Sequence, residues 1–209
     1  MQDKQSISAI VLAGGLSRRM GEKNKLHLQI GGVPILRRSV ETLLTSNLGE
    51  IVVVLGHEYE LTKKMIDDLP VRSVYNDDYA DGQMTSVHCG LSALTQDCSG
   101  VMVALGDQPA LTVNDINFLV DAYNARGKAQ VVMPTYKGNR GNPIIISEQS
   151  RQDISAGKRK LGCRRFIRDN PELVQMVEMN SPSVIIDLDT PQEYQSYCEN
   201  NQHSYSQSN

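Results

Sequence analysis

Five short, largely apolar runs, alternating with stretches of helical spacing, restrict this chain more than any other feature. They are Ile7 to Leu12, Ile51 to Leu55, Val71 to Tyr75, Val101 to Leu105 and Gln130 to Met133, with helical patterns near 35–47, 58–69, 84–97, 112–125 and 190–199. A strand with one wet face alternates polar and apolar residues, whereas a continuously apolar run must be covered on both faces. The alternation predicts an α/β fold: a single three-layer α/β/α domain around a mainly parallel, Rossmann-like sheet. With 209 residues, 40% of them hydrophobic, the chain can bury one full core. No linker rich in Pro, Gly or Ser and no internal repeat divides it. One domain over 7–199 is expected, with flexible ends at 1–6 and 200–209, where apolar anchors are few.

A net charge of −3 argues against a nucleic-acid partner. No apolar run approaches the roughly 20 residues of a membrane span, and the first six residues lack the blocks of a signal peptide, so a cytoplasmic protein with no membrane partner is expected. Cys89, Cys98, Cys163 and Cys198 form no C-x-x-C pair and read as reduced thiols. His27, His57, His88 and His203 are equally scattered, so any metal is expected on oxygen ligands.

The first strand runs straight into a glycine-rich basic loop, Leu12-Ala13-Gly14-Gly15-Leu16-Ser17-Arg18-Arg19-Met20-Gly21, followed by Glu22-Lys23-Asn24-Lys25. Gly14 and Gly15 permit positive φ and close backbone approach, so that N–H groups can face phosphate oxygens. Arg18, Arg19, Lys23 and Lys25 put four cations into eight positions of a mildly acidic chain, a charge suited to a small polyanion. The spacing excludes a Walker A loop, because Arg19 and Met20 stand where its second glycine would fall. It also excludes the dinucleotide Gly-x-Gly-x-x-Gly pattern. The loop reads as a triphosphate cradle built for a leaving pyrophosphate, rather than as a plain turn with a solvated basic surface.

Asp107 follows the fourth apolar run in Gly106-Asp107-Gln108-Pro109, where an open parallel sheet places its ligands. Facing a basic phosphate loop, one aspartate there can hold Mg2+, which prefers few carboxylates together with water and substrate phosphate. Asp187 and Asp189, in Ile185-Ile186-Asp187-Leu188-Asp189-Thr190-Pro191, leave an apolar run at alternating positions. If a strand continues through them they point to opposite faces, one joining Asp107 at the metal and the other capping or orienting a loop. Thr112 with Asp115, and Thr190 with Pro191, mark two helix starts. Two small-residue polar loops complete the set: Asn76 to Gly90, in which Gly82, Thr85 and Ser86 can approach a base or ribose, and Lys137 to Pro143, in which Arg140, Gly141 and Asn142 can shape an acceptor pocket.

Together these motifs resemble the nucleotidyltransferases that complete the molybdenum cofactor, in particular its cytidylyltransferases, with the guanylyltransferases close behind. The resemblance runs from about Ile7 to Tyr197 and implies a nucleotide-diphospho-sugar transferase-like fold. It implies that the terminal phosphate of molybdopterin attacks the α-phosphorus of CTP or GTP and releases pyrophosphate. Carried over residue by residue, Leu12, Ala13 and Gly14 would meet the nucleotide, Lys25 the phosphates and Asp107 the magnesium, with Asn76 and Ser86 as base or ribose contacts. Delivery to a molybdenum hydroxylase of the xanthine dehydrogenase type, with handover by a maturation chaperone, is also implied. The cytidylyltransferases usually carry Leu-Ala-Ala-Gly where this chain has Leu12-Ala13-Gly14-Gly15, the form typical of the guanylyltransferases. Asp187-Leu-Asp189-Thr-Pro and Arg140-Gly-Asn142-Pro resemble the cytidylyl branch, although histidine is usual at Asn142, and CTP is the favoured donor. A nucleotidyltransferase acting on another phosphorylated acceptor and a nucleotide carrier without turnover are the other readings.

Overall fold

The computed structural model describes residues 6–21, 24–156 and 170–205, with side chains described to 201. Lys23 of the basic loop, Cys163, the His203 side chain, residues 1–5 and residues 206–209 lie outside that description.

The five apolar runs form β1 (Ile7–Ala13), β4 (Ile51–Leu55), β5 (Arg72–Tyr75), β6 (Gly100–Leu105) and β7 (Val131–Tyr136). The remaining strands are β2 (Gln29–Ile30), β3 (Val33–Pro34), β8 (Asn139–Arg140), β9 (Ile144–Ser147) and β10 (Val174–Glu178), none of which the alternation pattern marks. The main sheet runs β10-β7-β9-β6-β1-β4-β5, with β8 paired to β7. Parallel pairing joins β1 to β4 and β6, β4 to β5, and β7 to β10, while β9 is antiparallel to both neighbours.

Helices cover both faces, as continuously apolar strands require. From β1, Ile7, Ala9, Val11 and Ala13 face α1 (Ile35–Leu44) and α4 (Val113–Asn124), in one cluster with Leu36, Val40, Ile116 and Leu119. Ile10 faces the other way, clustering with Val87 and Leu91 of α3 (Gln83–Ala93) and Ile154 of α5 (Glu148–Ser155). The three-layer, mainly parallel sandwich expected from the alternation is the observed architecture, and among the described residues no helix is long and apolar enough to cross a membrane.

Helix limits follow local chemistry. Thr112 and Asp115 form the expected capping box at the start of α4. The helix expected over 58–69 is only α2 (Tyr59–Lys63). Beyond it the chain tightens into i to i−3 turns, and Arg37 Nη1 takes the Met65 carbonyl at 3.1 Å, a group that a longer helix would have used. The patterns at 35–47 and 84–97 likewise end early, at Leu44 and Ala93. The final helix, α6 (Pro191–Tyr205), runs past the expected flexible boundary at Asn200. Its start is capped reciprocally, with Glu193 N–H donating to Thr190 Oγ1 and Glu193 Oε2 accepting from Thr190 N–H. Tyr194 and Tyr197 pack with Leu188 on Ile30 and Ile35, and Tyr194 Oη donates to the Gln29 carbonyl at 2.6 Å. The β2–β3 hairpin is the platform on which the C-terminal helix rests.

Two tests follow from this packing. A Cβ on Gly90 of α3 would stand 2.8 Å from Val54 Cγ2 and 3.1 Å from Ile10 Cβ. Gly90→Ala is therefore expected to cost about 1–3 kcal/mol through overpacking instead of gaining the roughly 1 kcal/mol usual for that change inside a helix, as read by urea denaturation. At the opposite end of the sheet from the basic loop, the Glu50 carboxylate accepts from Thr95 N–H (2.8 Å), Gln96 N–H (3.0 Å) and Arg72 Nη2 (2.9 Å). Burial opposes its charge, yet these donors outweigh burial and bring it down to about 2 from an ordinary 4.5. A depressed carboxylate stabilises the fold above its unfolded pKa and loses that contribution as pH falls toward the folded one. The stability gap between wild type and Glu50→Gln should be largest at neutral pH and should close as pH falls from 4.5 to about 2.

Candidate active site

Because β1, β4, β5 and β6 run parallel, the loops after Ala13, Leu55, Tyr75 and Leu105 open on one edge of the sheet. Two antiparallel pairings, β6 with β9 and β9 with β7, restore the direction of β7 and bring the hairpin after Tyr136 to the same edge. A cavity of about 480 Å3 lies there. Its floor and near wall are Leu12, Ala13, Gly14, Gly15, Ser17, Arg18 and Arg19 of the first loop. Gly82, at the start of α3, and Ser86, in its first turn, face them, and Lys25, Asp107 and Asp189 close one end.

The first loop is shaped differently from the glycine expectation. Neither Gly14 nor Gly15 has positive φ; the left-handed turns fall at Ser17 (φ 47°) and Gly21 (φ 69°). Gly14 is needed for space, because a Cβ there would lie 3.3 Å from Gly56 N, while the Gly14 carbonyl accepts the His57 N–H at 3.3 Å. Gly56 is tighter still, since its Cβ would reach Tyr79 Cβ at 2.6 Å. Gly15 has nothing within 4 Å of its Cβ direction, which leaves the backbone open on that side. Ser17 spends its hydroxyl inside the loop, accepting the Lys25 N–H and donating to Asn24 Oδ1, both at 3.3 Å. Asn24 Oδ1 also accepts the Leu26 N–H at 3.1 Å, so the loop is stapled to the short turn that carries Lys25.

Lys25 is the electrostatic centre. Its ammonium forms ion pairs with Asp107 Oδ2 and, at 2.6 Å, with Asp189 Oδ1, and Arg19 Nη1 pairs with the other oxygen of Asp189. The Lys25 and Asp107 side chains are only 16% and 14% exposed. Burial alone would lower the Lys25 pKa, but the two carboxylates more than compensate and raise it. The hydrogen bond from Lys25 holds Asp189 below the usual carboxylate range. Asp187 is shifted the other way, upward, by burial and then by the charge of Asp107.

The expected strand through Asp187 and Asp189 is absent. Ser181 caps a 3-10 turn, Pro182–Ile185, and the chain then runs irregularly to the start of α6, because Pro182 at the first helical position favours a turn over a ladder. Asp189 lines the cavity, whereas Asp187 stands beside it and accepts Gln108 Nε2 at 2.8 Å. Among the described residues no three His, Cys, Asp or Glu side chains gather into a ready metal site. Asp107 Oδ1, however, is buried and has no hydrogen-bond partner, an oxygen left over for a hard cation.

Other sequence-marked residues stand outside the cavity wall. Asn76 is 5% exposed and sits behind Ser86, its Nδ2 donating to Thr85 Oγ1 (2.9 Å) and Ser86 Oγ (3.0 Å). Arg140 is exposed on the β8 hairpin, Gly141 is buried against Val184, and the Asn142 N–H donates to the Val184 carbonyl at 2.9 Å. Sequence reasoning missed Tyr79, Ala80 and Gln83 in the cavity wall. The signal for Tyr79 was an aromatic residue just before Gly82, in a loop that follows a strand.

Comparison with known proteins agrees with this geometry. The model of the MobA-like NTP transferase domain matches residues 9–176. The chain is 28% identical over 199 residues to nicotine blue oxidoreductase of Paenarthrobacter nicotinovorans, covering 90% of this chain and 94% of that protein. It is 27% identical over 191 residues to the molybdenum cofactor cytidylyltransferase of Escherichia coli, again covering 90% and 94%. In fold it is similar to Rv0371c of Mycobacterium tuberculosis in complex with manganese, with a TM-score of 0.76 at 18% identity over 93% of this chain and 98% of that one. With the family model matching residues 9–176, which run from β1 through most of β10 and carry the basic loop and Asp107, the chain belongs to the MobA-like NTP transferases.

Proposed function

We propose that the protein transfers CMP from CTP to the terminal phosphate of a molybdopterin-type acceptor and releases pyrophosphate. The observation that carries this reading is the partly buried Lys25–Asp107 pair at the end of a cavity walled by the basic loop. Simple nucleotide binding needs no such ion pair facing the phosphates. The likeness to the E. coli cytidylyltransferase over nine-tenths of the chain points to the same acceptor class. The Leu12-Ala13-Gly14-Gly15 sequence favours GTP as the alternative donor.

In this reading an oxygen of the acceptor phosphate attacks the α-phosphorus, and the bond to the β-phosphate oxygen breaks. The acceptor is already an anion, so no general base is required. Backbone N–H groups of the first loop, with Arg18 and Arg19, hold the β- and γ-phosphates, and Lys25 follows the charge that develops on the leaving pyrophosphate. Gly82, and Ser86 held by Asn76, lie where a ribose or base can rest against the α3 start. Asp107, through its unpaired Oδ1, and Asp189, which lines the cavity where Asp187 does not, fit magnesium as ligands. Magnesium would supply charge neutralisation and in-line orientation of the phosphates. Arg140, Gly141 and Asn142 would bound the acceptor on the far side, and the product would pass to a molybdenum hydroxylase or its maturation chaperone in the cytoplasm.

The direct test mixes purified protein, Mg2+ and molybdenum-loaded molybdopterin with CTP or GTP separately, and identifies the dinucleotide by mass spectrometry. Product with CTP is expected; product with GTP alone reverses the base assignment, and product with neither transfers the reading to another phosphorylated acceptor. Separately, Lys25→Met leaves Asp107 without a cation and Asp189 with Arg19 alone, and should cost about 1–3 kcal/mol of stability, with product formation lost. Combining it with Asp107→Asn should recover part of that stability, and a coupling energy below about 0.5 kcal/mol in the cycle would show that the pair is not formed in solution.

A further inference from the structure

Gln108 follows Asp107 at the end of β6 and is 1% exposed. Its Nε2 donates to Asp187 Oδ1 at 2.8 Å and to the Val184 carbonyl at 3.2 Å. Both partners are acceptors only, which fixes the orientation of the amide. The same Val184 carbonyl accepts the Asn142 N–H at 2.9 Å, and Gly141 passes so close that a Cβ on it would sit 2.5 Å from that oxygen. Three segments distant in sequence, the loop after β6, the hairpin at 139–142 and the turn before α6, thus converge on one buried amide and one carbonyl.

Packing alone does not call for this residue. Gln108 Oε1 is buried without a hydrogen-bond partner, and an apolar side chain of equal length would avoid that cost. What an apolar residue cannot do is hold a carboxylate and a backbone carbonyl in one fixed relation. We propose that Gln108 is a positioning residue for the acceptor. It sets the Asp187 carboxylate and the Arg140–Asn142 hairpin as a single wall, while the nucleotide side, built on the first loop and α3, does not depend on it. The inference deepens the transfer reading and rests on it for the identity of what the wall receives.

The test uses Gln108→Met, equal in length but without a donor, and Gln108→Asn, polar but one methylene too short to reach both acceptors. Each should raise the KM for the molybdopterin acceptor about tenfold, the scale of one hydrogen bond to a charged group, and leave the KM for the nucleotide within about twofold of wild type, a margin well inside that scale. Equal changes in both constants, or in neither, would overturn the proposal. Amide hydrogen exchange gives a readout that needs no turnover. Segments 139–142 and 184–189 should lose protection together in both variants while segment 12–20 keeps it, and unchanged protection in the first two would sink the idea. If wild type fails to turn over but this exchange pattern appears, the wall stands as a coupled unit and the transfer reading is the part that fails.

Discussion

The pairing of β1 between two parallel neighbours is the constraint on which everything else rests. A parallel strand must return by a crossover, so every connection leaves its strand at the same edge. Once β4 and β6 lie in register on either side of β1, the loops after Ala13, Leu55 and Leu105 have no freedom to diverge. The close approach of Gly14, Gly56 and Tyr79 follows from that convergence, and so does the meeting of Asp107 with Lys25. The hydrophobic term that holds the sheet between its helices therefore also aligns the polar groups of the site.

Charge is distributed to match. Cations of the first loop meet carboxylates from the ends of β6 and of the segment before α6, so the cavity is strongly polar but nearly compensated before any ligand enters. Burial would drive each of these groups toward its neutral form, and it is their mutual proximity that keeps Lys25 and Asp189 charged. Asp187 lies at the margin of this balance and feels burial more than it feels Lys25. A polyanionic substrate entering such a site exchanges partners with existing ion pairs instead of meeting bare charge.

Most of the architecture was legible because it depends on period and spacing. Continuous apolar runs identified all the parallel strands but β10, and the motif at Leu12 to Lys25 marked one wall of the cavity. What was hidden depends on tertiary context. The run at Ile144–Ser147 is apolar but returns from β7 through the β8 hairpin without a crossover helix, so the strand–helix alternation does not mark its antiparallel insertion between β6 and β7. The turn at Pro182–Ile185 replaces a strand because a proline and a capping serine outweigh β-branched neighbours. Positive φ went to Ser17 and Gly21 because Gly14 is used for clearance against Gly56, a contact no spacing rule anticipates. Asn76 and Asp187 read as direct contacts; neither lines the cavity, and each is hydrogen-bonded to a neighbour, Ser86 and Gln108 respectively.

The anchoring of α6 on the β2–β3 hairpin has a consequence for the order in which the molecule can become competent. Asp189 is 170 residues from Arg19 and 164 from Lys25, yet it completes their ion pairs. Domains emerge and begin to organise from the amino end during synthesis. The basic loop is therefore made early, with its strand and with β4 and β6, but with Asp107 as its one partner among the described residues of that half it keeps an excess of positive charge until the segment around Leu188 and Tyr194 docks on Ile30 and Ile35. The nascent chain passes through a stage in which it is an open, cationic half-site, and docking of the last helix turns that stage into the closed, charge-balanced one.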